Sequence, residues 1–408
     1  MSQTQFNPDT RAYRENPYPV LAELRARDPV HWSPALKGWV LTRHADVQRV
    51  LKAEEMSADK ITPFYAALPS ETKAKIESLM RYLGTWLPFR DPPDHTRLRL
   101  LIARAFTPKA LASIKPNIES VTTLLLDRMH GRDEVDLVAE FANPLPAYVI
   151  MDMLGVPRTM LPEMKSWSDD IRLFIGTARG VPDKYERVRR GTEAMAAAFR
   201  TLVAERRVAL KDDILSTLVA ANEADVGRLS DDDLIATSIL FLFAGHETTT
   251  SLIAMGSMAL MDVPDLRQQF AQLPTTGVQT AVEEFLRFDG PTPVMMRIAL
   301  RDDEIGDKAI KKGDRVWTMI GAANRDPAEF KDPDTIELKR YPNRHVTFGF
   351  GPHFCLGAPL ARLEAQIALP ALHRRYPTMT RTRVDIAWAD GLGLRGPEQL
   401  PVRLGPTA

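Results

Sequence analysis

Cysteine is almost missing from this chain of 408 residues; the single one is Cys355. One thiol closes no internal disulfide, so a secreted scaffold held together by bridges is excluded. Net charge is missing too. Fifty-three basic side chains meet 53 acidic ones, and no global field draws the chain to nucleic acid or to an anionic membrane. Residues 1–20 have neither the basic start nor the apolar run of a secretory leader. The longest apolar run, Leu234 to Gly245, is broken by Thr237 and Ser238 and followed by His246 and Glu247. That length suits a buried helix and is too short to span a bilayer. A cytoplasmic location is expected. Repeats, low-complexity tracts and Gly/Ser linkers are also absent, and no point reads as a boundary, so one domain over 1–408 is expected.

What is present is a globular balance, 44% hydrophobic and 26% charged, long enough to enclose a cofactor. Helical periodicity dominates, with apolar residues three and four apart near 18–27, 43–52, 95–106, 108–129, 183–208 and 231–261. Thr107 before Pro108 and Ser230 before Asp231-Asp-Asp read as helix caps. Strand signals are short. Val30–Trp32 and Trp39–Thr42 read as a hairpin, and Val294–Leu300, Arg315–Met319 and Val402–Leu404 as further strands. The 31 prolines argue for many separate helices. The expected class is mainly α with small β-sheets.

The lone thiol has an unusual setting. His345-Val-Thr-Phe-Gly-Phe-Gly-Pro-His-Phe-Cys355-Leu-Gly leads into helical periodicity from Leu356 to Tyr376. A cysteine at a helix N-terminus meets unpaired N–H groups and the positive end of the dipole, which favour a thiolate. Gly349 and Gly351 let the backbone approach the sulfur. The loop is not a dinucleotide fingerprint, because Phe354 stands where the third glycine belongs. Nor is it a zinc site, because only His353 is near.

This stretch resembles the cysteine loop of the cytochrome P-450 superfamily, Phe-Gly-x-Gly-x-x-x-Cys-x-Gly, with Phe348, Gly349, Gly351, Cys355 and Gly357 at the fixed positions. The resemblance implies one domain enclosing haem b (iron protoporphyrin IX), with Cys355 as the axial iron ligand.

Three further motifs follow in the family's order. Ala244-Gly-His-Glu-Thr-Thr lies midway along the long apolar helix, where a glycine, an acid and hydroxyls are costly unless they serve a site. A zinc-protease reading of His246-Glu247 fails because Thr250 occupies the second histidine position. The segment resembles the family's oxygen-binding groove. The resemblance implies that Ala244 lies against the cofactor and that Glu247 and Thr248, with water, deliver protons during oxygen activation. Glu284-Phe-Leu-Arg287 matches the family's Glu-x-x-Arg, with Arg325 as the expected third member of a structural network. His95 and Arg99, one turn apart on a helix, would bind the haem propionates; by resemblance Arg297 and His353 complete the clamp.

The implied activity is a monooxygenase that inserts one oxygen atom of O2 into an organic substrate and reduces the other to water. A thiolate ligand favours O–O cleavage. A peroxide-driven enzyme or a haem gas sensor would not need the Glu247-Thr248 pair. With no fused reductase in the sequence, the resemblance implies a separate ferredoxin or flavodoxin and its NAD(P)H reductase, docking near Arg104, Lys109, Arg344 and Arg362. Leu240, Phe243, Ala244 and Thr248 share one helix face. Pro293, Val294, Met295, Leu392 and Leu394 are expected to meet them. Phe64–Phe89, with Tyr82, Leu83 and Trp86, resembles the family's lid. Apolar walls point to a hydrophobic or aromatic substrate.

Overall fold

The computed structural model describes residues 6–103, 106–176, 181–224 and 229–407; Arg104 lies outside them. Two compact units emerge. One comprises Met1–Ser57, Thr122–Ala142 and Thr248–Ala408, the other Ala58–Val121 and Asn143–Glu247.

The first unit carries every described strand. They are β1 (Val30–Ser33), β2 (Gly38–Leu41), β3 (Met56–Ser57), β4 (Glu134–Asp136), β5 (Val294–Ala299), β6 (Asp303–Ile305), β7 (Lys308–Ile310), β8 (Arg315–Met319), β9 (Thr380–Arg381) and β10 (Pro401–Arg403). The five-stranded sheet runs β1-β2-β8-β5-β3; β2 and β8 are parallel and the remaining pairs antiparallel. Alternation sends Val30, Leu41, Val316 and Ala299 into one core with Val47, Val50 and Leu51 of the helix His44–Lys52. The expected hairpin and the strands near 294, 315 and 402 are present. The strands that periodicity missed, β3, β4, β6, β7 and β9, have only two or three residues, too few to show a period of two.

Among its described residues the second unit has helices joined by turns and loops, and no strand. Its longest helix is Lys184–Val208; Pro108–Met129 and Asp231–Asp262 continue from it into the first unit. Thr107 caps Pro108–Met129, its hydroxyl accepting from Ala110 N–H at 3.2 Å. The helix Asp231–Asp262 opens on a capping box. Ser230 Oγ accepts from Asp233 N–H at 3.1 Å, while the Asp233 carboxylate accepts from Ser230 N–H at 3.0 Å. Gly245, midway along it, has a packing reason. A Cβ there would stand 2.8 Å from Ile150 Cγ1, so only glycine admits the neighbouring helix Pro144–Leu154. No described helix is long and apolar enough to cross a membrane.

Candidate active site

The cysteine loop is a set of tight turns. Gly349 and Gly351 sit at φ +75° and +74°, where a side chain is strained. A Cβ on Gly351 would also press within 3.0 Å of Lys52 Cα. Gly349 N–H donates to Val346 O, and Cys355 N–H to Phe348 O, both at 2.9 Å. These bonds curl the chain so that Cys355 precedes the helix Ala358–Arg375, whose cap is Gly357. The thiol is exposed, which is unusual for a cysteine.

Two anchors fix the loop. Asn324 accepts from Val346 N–H and donates to Thr347 Oγ1, both at 2.8 Å, and Thr347 in turn donates to Leu286 O at 2.7 Å. Glu283 accepts two bonds from Arg362 at 2.7 and 2.8 Å and lies 3.0 Å from His345 Nε2. Arg362 also covers the Phe348 ring at 4.5 Å. Burial would raise the Glu283 carboxyl, but the His345 and Arg362 bonds outweigh it and hold it down to about 2. Arg362 is thereby a loop anchor. Arg344 and Lys109 are exposed.

Glu284 and Arg287 form the expected pair. Both are fully buried and joined by two bonds of 2.8 Å. The third arginine is a correction: Glu284 meets Arg340, at 3.1 and 3.2 Å, and not Arg325. Asn343 Nδ2 and Glu337 N–H complete its shell at 3.1 and 2.8 Å. Arg325 donates instead to Phe288 O and Asp334, and its guanidinium lies 3.4 Å from the Tyr18 ring centroid and 3.7 Å from that of Phe288. It comes six residues after the short β8 ends, and there its guanidinium stacks between two rings.

On the long helix, Ala244 is exposed although Leu242, Phe243 and His246 beside it are buried. His246 Nδ1 donates to Leu242 O at 2.6 Å, and Nε2 approaches Glu247 Oε1 at 3.2 Å. Arg172 stands 4.0 Å from the other Glu247 oxygen. Burial opposes ionisation of Glu247, yet His246, Arg172 and Lys165 bring its carboxyl below the usual range. Thr248 follows, half-buried.

His95 is buried in the helix Asp94–Ala103, with Arg99 half-buried one turn on; Arg297 is buried on β5 and His353 half-buried in a short turn, Gly351–His353. Among the expected pocket residues, Leu240, Phe243 and Val294 are buried and Met295 is half-buried beside Gly349. Pro293, Leu392 and Leu394 line a cavity of ≈ 30 Å³ with Tyr13, Tyr18 and Trp388. The lid segment forms three short helices and a final turn, Leu87–Phe89.

The helix after the cysteine also buries two ionisable groups that the sequence did not flag. Burial raises the Glu364 carboxyl to about 8; the Thr249 hydroxyl only tempers this, and neither oxygen completes a hydrogen bond among the described residues. Burial likewise lowers His373 to about 3, helped by the charge of Arg267, and neither ring nitrogen has a partner there.

A family profile described as Cytochrome P450 matches residues 39–387. The chain belongs to the cytochrome P450 family. The polyketide biosynthesis cytochrome P450 PksS of Bacillus subtilis is 34% identical over 99% of this chain and 100% of its own. The 6-deoxyerythronolide B hydroxylase of Saccharopolyspora erythraea is 35% identical, covering 95% and 96%. The crystal structure of P450BioI with an acyl carrier protein bearing hexadec-9Z-enoic acid superposes at TM-score 0.89, with 32% identity and coverage of 97% and 100%. This P450 is therefore a mainly helical oxidoreductase of the monooxygenase class, in a haem-thiolate family.

The residues present fit that group. The P450 loop presents its one soft ligand exposed, on turns that only glycine permits, and small Ala244 is exposed within a buried stretch of helix. Glu283, Asn324, Arg340 and Asn343 were not found from sequence. Glu283 adjoins the Glu-x-x-Arg motif and Asn324 adjoins Arg325, but their partners lie in distant loops.

Proposed function

We propose that this P450 acts as one catalytic domain that inserts one oxygen atom of O2 into a hydrophobic or aromatic small molecule. Haem b would be held by the Cys355 thiolate, and electrons would come from a separate ferredoxin or flavodoxin with its NAD(P)H reductase. The observation that carries the reading is the exposed Cys355 on a loop pinned at both ends by Asn324 and Glu283. When bound, the haem supplies the oxidising chemistry.

The chain's own residues do the rest. Backbone turns around Gly349 and Gly351 would let N–H donors approach the sulfur and favour its anionic form. His95, Arg99, Arg297 and His353 supply charge for two propionates. Glu247, kept ionised by His246 and Arg172, accepts a proton from solvent and returns it toward the Thr248 hydroxyl. Leu240, Phe243, Val294 and Met295 offer apolar contact and exclude water. The acyl ligand in the P450BioI structure is a long hydrocarbon chain, which supports an apolar substrate here. Exposed Arg344 and Lys109, with Arg362, are the charges offered to an acidic electron donor.

The test is spectroscopic. Reduced, haem-loaded protein under carbon monoxide is expected to show the red-shifted Soret band of thiolate ligation, and Cys355→Ser to lose it. A wild type without that band overturns the ligand assignment. Thr248→Ala is expected to keep the band and consume reductant without matching product.

A further inference from the structure

Trp86 is 2% exposed, and its indole Nε1–H has no hydrogen-bond partner among the described residues. An unpaired donor sealed from water is unfavourable, and native proteins rarely keep one without use. Apolar bulk alone does not account for it, because phenylalanine would supply a ring without the orphan. The ring is held firmly. It stacks on Phe89 at 6.1 Å and 14° and leans on Phe243 at 5.7 Å and 34°. Phe243 precedes Ala244, the exposed position of an otherwise buried stretch of the long helix. The unpaired donor thus stands in one aromatic layer with Phe243, a residue of the apolar wall proposed to meet the substrate.

We propose that Trp86 is a specificity-determining residue whose indole N–H donates to an acceptor oxygen, a carbonyl or ether, on an otherwise apolar substrate. The inference rests on the monooxygenase reading and narrows its substrate class: plain hydrocarbons leave the donor unpaired, whereas ketones, lactones and esters satisfy it. Discrimination arises because only the ligand that carries the oxygen gives the donor the bond it lacks.

The experiment uses haem-loaded protein and a ring-size series of cyclic ketones, each paired with its parent cycloalkane, titrated by the haem spin-state shift. For at least one pair, Trp86→Phe is expected to weaken ketone binding about tenfold and to leave the alkane nearly unchanged. Equal losses for ketone and alkane, or no ketone responding to the substitution, overturn the proposal. Should the variant fail to load haem, infrared spectra of a carbonyl-labelled ketone bound to the wild type decide. A lowered C=O stretch supports the bond, and an unshifted one or no bound ketone overturns it. The carbon monoxide band is recorded on the same samples, so a failed donor with an intact band leaves the monooxygenase reading standing.

Discussion

Glu284 and Glu364 sit on two helices of the same unit, Thr275–Phe288 and Ala358–Arg375, and both are 0% exposed. Glu284 is met by Arg287, Arg340, Asn343 and the Glu337 N–H. Glu364 has only the Thr249 hydroxyl to temper its upward shift. Equal burial therefore yields two different groups, a carboxylate held by compensating charge and a carboxyl that desolvation keeps protonated. The first fastens loops together behind the cysteine. The second contributes no ion pair and instead ties stability to pH.

The sharpest way to break this contrast is at Glu284. Glu284→Gln leaves two buried arginines without their counter-charge, and a loss of about 3–5 kcal/mol is expected in urea unfolding. A loss below about 1 kcal/mol, the scale of exposed pairs, would show that the cluster is not held by charge. At Glu364 the expected effect is a slope. The fold keeps this carboxyl protonated up to about 8, while the unfolded chain ionises near 4.5. The native state then binds the extra proton, so wild-type stability is full below 4.5 and is lost as pH rises toward 8. Glu364→Gln lacks this loss. Its stability relative to wild type should grow by about 1.4 kcal/mol per pH unit across that window; a difference that stays flat would mean Glu364 is ionised in the fold. The smallest effect belongs to Arg325, which stands outside the Glu284 cluster. Arg340→Ala is expected to approach the cost of Glu284→Gln, whereas Arg325→Ala loses stacking and carbonyl contacts worth about 2 kcal/mol. Equal melting shifts for the two variants would erase the distinction between them.

These residues also mark where sequence stops speaking. The cysteine loop was legible because ten consecutive residues carry its whole geometry. Glu284 and Arg287 were legible because they are one helical turn apart. Arg340 and Asn343 reach Glu284 from 56 and 59 residues away, in loops with no periodicity, and nothing local separates Arg340 from Arg325 as the partner. The helices read near 18–27, 43–52, 108–129, 183–208 and 231–261 emerged near their true bounds, whereas Leu161–Ile175 and Thr275–Phe288 were not bounded from sequence. Pro144–Leu154 did not emerge either, because ten of its eleven residues are buried, which removes the contrast between faces that periodicity needs. Gly245 was legible as an anomaly, but its cause, the approach of Ile150, is a contact across 95 residues.

The helix that starts behind the cysteine carries a second silent proton site. His373 stays neutral in the fold down to about 3, while the unfolded chain takes up a proton below 6.5, so this side chain taxes stability as solutions turn acidic. Glu364 acts in the opposite sense as they turn alkaline. Between 4.5 and 6.5 the two gradients cancel, and on either side one of them acts alone. One helix, by denying water to an acid and a base, thus gives this part of the molecule a plateau of tolerance with sloping shoulders.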